Sequence, residues 1–185
     1  MKRTVTIVFG ALMLSSAAFA QMTPEQMIER ALLPAPARAK EATTVIKFKA
    51  DGTYDTLKKG TNQLVCYDRS GDPGEQPFSV QCTSVANIPR VIQNRKFEAM
   101  ADKAARQAAI DAAEKDGTRA KPEFGSVWLT MNGPDKDKAP AHVHTTIAVP
   151  GATAASIGLP DNPQKGGVWI MNAGTSTAHL MTPGS

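Results

Sequence analysis

Hydrophobic and polar residues alternate at a period of two from Thr44 to Ala50, break at Asp51-Gly52, and alternate again from Thr53 to Leu57. That pattern predicts a β-hairpin: successive strand side chains point to opposite faces, and Asp-Gly suits a tight reversal. Ile46, Phe48 and Ala50 fall on one face. After a Gly60-Thr61-Asn62 turn, residues 63–67 read as a third strand and 78–82 as a fourth. The period then changes. Between 91 and 116, Phe97, Met100, Ala101, Ala104, Ala108 and Ala112 recur at helical intervals, which predicts one long helix with an Ala-rich stripe. Asp102 with Arg106, and Asp111 with Lys115, have i,i+4 spacing, and Gly117 is placed to end the helix. Strand-like segments return at 126–131, 141–149, 168–171 and 177–182. The Gly-, Pro- and Ala-rich stretch 150–167 between them reads as a long loop.

A shorter helix is expected near residues 22–33. Thr23 can cap it, Pro24 fits its first position, and Gln26 completes a capping box. Met22 and Met27 stand where a hydrophobic staple would, and Pro34 and Pro36 end the segment. Strands, a long helix, then strands again imply an α+β fold. The expectation is an antiparallel sheet with one long and one short helix gathered on one of its faces.

The first twenty residues follow another logic. Lys2 and Arg3 precede an apolar run from Val5 to Leu14, and Ala18-Phe19-Ala20 has the form of a signal-peptidase site. The run is too short to span a bilayer. Residues 1–20 are therefore expected to be a signal peptide, with a single α+β domain over 21–185. Without the leader 165 residues remain, carrying 19 basic and 17 acidic side chains, so the pI of 9.1 partly reflects the leader. A domain of this size can bury enough surface to fold without metal or partner. No basic stripe interleaved with aromatics supports nucleic-acid binding, and no later run approaches membrane-spanning length. The mature product is expected to be periplasmic or secreted, with no membrane span.

Export decides how the two cysteines are read. In an oxidising compartment Cys66 and Cys82 are expected to form a disulfide, since they lack the two-residue spacing of a redox pair. The turn-forming residues 70–74 lie inside the loop this bond would close.

Candidate chemistry is confined to three histidines near the end of the chain. His142 and His144 form a His-x-His within a strand, on one face and about 6.5 to 7 Å apart along it. Val143, Thr145, Ile147 and Val149 occupy the opposite, more apolar face. If the strand of His179 is a neighbour, His142, His144 and His179 could hold Zn or Cu, with Met131, Met171 or Met181 as a soft ligand for Cu(I). Structural or solvated histidines, and a general base, are the competing readings. Other chemistry lacks its motif. The chain has no G-x-S-x-G elbow, no P-loop, no dinucleotide fingerprint and no Cys-x-x-Cys-His. Asp135-Lys136-Asp137 lacks the Gly and terminal Glu of a calcium loop. Trp128 and Trp169 are expected to be core anchors.

The segments Leu57-Lys58-Lys59-Gly60-Thr61-Asn62 and Ala178-His179-Leu180-Met181-Thr182-Pro183 are similar to segments of uncharacterised exported bacterial proteins. That resemblance implies export and a single domain, and it carries over no activity or site residue. The expected function is small-ligand or transition-metal binding near the His-x-His strand and the 150–167 loop. The alternatives are a protein-interaction module without chemistry and a His-dependent enzyme.

Overall fold

A computed structural model describes residues 22–137 and 143–182. The short helix α1 (Pro24–Ala31) starts as its sequence requires. Thr23 accepts the Gln26 backbone N–H, the Gln26 side chain returns to the Thr23 backbone, and Pro24 stands at the first position. A short 3-10 turn (Ala37–Ala39) follows the proline pair and leads into β1 (Thr44–Phe48). The Asp51-Gly52 reversal then delivers β2 (Tyr54–Lys58), with Gly52 at φ +84°. β3 (Leu64–Asp68) and β4 (Phe78–Ser84) follow, then α2 (Ile88–Glu98), α3 (Lys103–Asp116), β5 (Val127–Gly133) and β6 (His144–Ala148). The chain closes through α4 (Ala154–Ile157), β7 (Trp169–Met171) and β8 (His179–Met181).

All eight strands form one sheet in the order β2-β1-β3-β4-β5-β6-β8-β7. The sheet is mixed and not wholly antiparallel as expected. β1 and β3 run parallel, paired only at Thr44–Val65 and Val45–Cys66. The reason is topological: β2 folds back on the outer edge of β1, so the chain must cross to the other edge to place β3. Gly60 and Asn62 make that crossing against the 39–44 segment. Gly60 donates to the Thr44 hydroxyl, and Asn62 donates to the Ala39 carbonyl.

The helices cover both faces, which corrects the one-sided arrangement. On one face Ala31, Leu32 and Ala35 from α1 and its exit pack with Val45, Cys66, Cys82 and Leu129. On the other, Ile88 and Val91 of α2 pack with Ile46, Val65 and Tyr67. β1 is thus buried on both sides, with neighbouring Val45 and Ile46 in different cores. At the far end Ala154 and Ile157 of α4 pack on Val149, Ile170 and Ala178.

The single long helix is two. Asp102 does not pair with Arg106. It caps α3 by accepting the Ala105 N–H, while Arg106 donates to the Met100 carbonyl and closes the break. A side chain that caps is no longer free to pair along the helix surface. Ala104, Ala108 and Ala112 of the expected stripe face solvent, and Ala113 is the buried residue of α3. Gly117 ends the helix in the left-handed conformation at φ +77°. The expected long loop contains α4, whose capping box joins Thr153 and Ser156.

The disulfide is present. Cys66 and Cys82 face each other across β3 and β4 with Cα atoms 4.0 Å apart, both fully buried. The loop it closes is held by charge. Arg69 pairs with Asp72, Glu75 and Glu98, and Arg95 pairs with Asp72 while lying 4.5 Å over the Phe48 ring. Burial pushes the Arg69 guanidinium down, but Glu98, Glu75 and Asp72 together hold it above its ordinary value.

Candidate functional site

The register decides where the histidines fall. His144 opens β6 opposite Thr130, and His179 opens β8 opposite Ala148. Both side chains project on the α2 face, four strand positions apart, or about 13 Å along the sheet. The structure therefore puts the two imidazoles on one surface without bringing them to one point. His142 lies outside the described residues. Among the described residues no group of three His, Cys, Asp or Glu is placed to hold a metal ion. Met181 lies opposite Thr146, and Met171 is paired with His179 across β7 and β8. On the opposite face, Val143 packs against the α1 core and Val149 is buried, as the alternation predicts.

The α2 face carries a row of polar side chains across the sheet. Tyr67 is fully buried and donates to Gln81 Oε1 at 2.6 Å. Gln81 Nε2 donates to Thr130 Oγ1 at 3.0 Å, and His144 is next in the row. Burial pushes the Tyr67 phenol well above its ordinary value, so it stays a neutral donor. Trp128 and Trp169 are only half-buried, and the neighbouring Leu129 and Ile170 take the core positions.

A cavity of about 130 Å³ lies between α2 and the β5, β6 and β8 strands. Trp128, Thr146, Ala148 and His179 line it from the sheet, with Arg90 and Asn94 from α2. His179 Nδ1 lies 2.7 Å from the Thr177 carbonyl. A carbonyl only accepts, so Nδ1 is the donor in this contact.

Arg90 dominates the electrostatics. It is 3% exposed, and its Nη1 donates to the Ala120 carbonyl at 2.8 Å and to Ser176 Oγ at 2.9 Å. Its Nη2 is buried and has no hydrogen-bond partner among the described residues. Burial pushes the guanidinium down to about 10, and the neighbouring Arg119 pushes the same way. It is still a cation at neutral pH. Ser176 in turn donates to Glu114, whose carboxylate is 3.9 Å from Arg119 Nε. Arg119 also donates to Gln93 and Asn94, and its guanidinium lies 5.0 Å over the Phe97 ring.

Two larger clefts flank the opposite end of α2. One, of about 230 Å³, opens where β1 and β3 diverge, and Phe48, Asp68 and Arg95 line it. The other, of about 530 Å³, runs beside the Asp51-Gly52 turn and includes Arg95 and Glu98. Their principal charges already answer one another: Arg30 with Asp68, Arg95 with Asp72, Arg69 with Glu98.

Of the expected site residues, His179 lines this cavity, His144 lies farther along the same face, and Cys66 and Cys82 are structural. Sequence reasoning missed Arg90, Arg119 and Glu114. The signal was Arg90 itself, a charge set in the apolar run Ile88-Pro89-Arg90-Val91-Ile92. Compared with protein-family models, curated proteins and solved structures, the chain matches none of them.

Proposed function

We infer that this is an exported domain that binds a small ligand in the cavity between α2 and the β5–β6–β8 strands. The observation that carries the reading is a cavity framed by Trp128, Thr146 and His179 on the sheet and by a buried arginine on the helix. Ligand sites have this composition: apolar walls with a few convergent polar groups. The Cys66–Cys82 disulfide supports export, because such bonds persist in oxidising compartments. No helix among the described residues is long and apolar enough to cross a membrane. A metal held by all three histidines draws less support, since His144 and His179 stand four positions apart in register.

The test is amide and indole NMR shift mapping of isotope-labelled mature protein against a set of small polar organic molecules. Binding is expected to move Trp128, Thr146, Thr177 and His179 together. If no compound moves that group while Zn²⁺ or Cu²⁺ moves His142 and His144, the metal reading replaces this one. Protein purified without an affinity tag and assayed for bound Zn and Cu gives the same decision independently.

A further inference from the structure

We propose that His179, Met171 and Met181 form a site for a soft monovalent metal ion, Cu(I), at the β7–β8 end of the α2 face. The register builds it. His179 and Met181 stand two apart on β8, so both project from one side of the strand. Met171 of β7 is the direct cross-strand partner of His179, and Trp169 is that of Met181. Paired residues share a face, so these four side chains mark the corners of a rectangle. Its edges are about 5 Å across the strands and about 7 Å along them. Unbranched, flexible methionines can bring their sulfurs to one point over such spacings. Ile170 and Leu180, the pair between, turn the other way into the α4 core.

The site is reachable, and its imidazole is held. Met171 is 41% exposed, His179 and Met181 are half-buried, and Trp169 and Met171 line a cleft of about 470 Å³ at the β7 edge. With Nδ1 of His179 committed to the Thr177 carbonyl, Nε2 is the nitrogen left to a ligand. Metal-binding imidazoles are oriented in this way, with the second nitrogen donating to a carbonyl or carboxylate.

Ligand chemistry selects the ion. Thioethers are neutral and soft, which suits Cu(I), whereas Zn²⁺ sites use thiolate, imidazole and carboxylate. The set carries no charge, and Arg90, a cation, lines the cavity that His179 also borders. That charge opposes a divalent ion more strongly than a monovalent one. An indole at the Trp169 corner adds attraction for a bound cation through its ring face. Both cysteines are in the disulfide, so no thiolate competes for a soft ion. Met131, the other expected soft ligand, projects from the opposite face, since its neighbour Thr130 is on this one. The site stands apart from the ligand-binding reading, because Met171 and Met181 do not line that cavity.

The experiment titrates mature protein, labelled at methionine methyls and histidine rings, with Ag⁺ in chloride-free buffer as a redox-inert substitute for Cu(I). Met171, Met181 and His179 are expected to shift together and saturate at one equivalent. Met171→Leu is expected to weaken Ag⁺ binding at least about tenfold. Zn²⁺ is expected to leave both methyls unmoved. No shift at these residues, shifts of the methionines without His179, or separate saturation of the two methyls overturns the joint site. Unchanged affinity in Met171→Leu does the same. Zn²⁺ binding there as tightly as Ag⁺ overturns the choice of a soft ion. The joint shift in the wild type decides the matter even if the variant fails to fold.

Discussion

Gly60 is constrained by space and not by backbone conformation. A Cβ there would overlap the Ala42 carbonyl oxygen and the Thr44 nitrogen, where the β2–β3 connection crosses the start of β1. Backbone cannot move aside as a flexible side chain can. Gly60→Ala is therefore expected to cost about 3 kcal/mol in urea unfolding. A change under about 0.5 kcal/mol would mean the crossing is looser than described. Arg90 matters through its bonds. Its Nη1 donates to the Ala120 carbonyl and to Ser176 Oγ, and Arg90→Met leaves both without that donor. The variant is expected to cost about 2 kcal/mol in urea unfolding. A melt at or above the wild-type temperature would show that these two bonds contribute nothing net.

At the scale of elements, α2 and α3 differ in how they are held. α2 is fixed at one end by Arg69 and Arg95 to the β3–β4 loop, and along its length by Ile88 and Val91 in the core. α3 touches the rest through a narrow face around Ala113 and through Glu114. Ala108→Glu should change stability by less than about 0.5 kcal/mol, whereas Ala113→Glu should cost about 2 kcal/mol or more. Reversal of that order in thermal melts would show that the exposed Ala stripe is the packed face. Glu98 at the end of α2 gives a pH test. Burial raises its carboxyl, with Arg69 opposing, so it binds a proton more tightly folded than unfolded. Stability from this group is therefore gained as pH falls from neutrality through its folded value towards the ordinary 4.5. The unfolding free energy of wild type minus that of Glu98→Gln should rise over that window. A flat or falling difference in denaturant melts would reverse the assignment.

For the whole molecule, the disulfide joins β4 to β3, the strand that gives Cys66 to the α1-side core and Val65 and Tyr67 to the α2-side core. Its 16-residue separation corresponds to about 3 kcal/mol in the chain-entropy description. A Cys66→Ser, Cys82→Ser double variant should lose about that much, plus the cost of placing hydroxyls where both sulfurs are fully buried. Reductant should lower the wild-type unfolding midpoint and leave that of the double variant unmoved. Mass spectrometry of protein from cells tests the proposed export, with a mature terminus at Gln21 and no alkylatable thiol as the expected result.

What the chain determines by itself is local. The Thr23–Gln26 capping box, the Asp51-Gly52 hairpin, Gly117 at the end of α3 and the alternation that sends Val143 and Val149 inward all follow from neighbouring residues. Each depends on backbone geometry and turn chemistry within a few positions. The break near Asp102 was less legible, because an Asp four residues before an Arg fits an ion pair and a cap equally well. Tertiary structure alone decided the parallel crossing of β1 and β3, the helices on both faces, and the separation of His144 from His179. Strand order and register depend on which edges meet, and no short-range pattern encodes that. The Arg90 cavity is of the same kind: its residues come from α2, β5, β6 and the approach to β8, and only folding places a buried cation beside an indole.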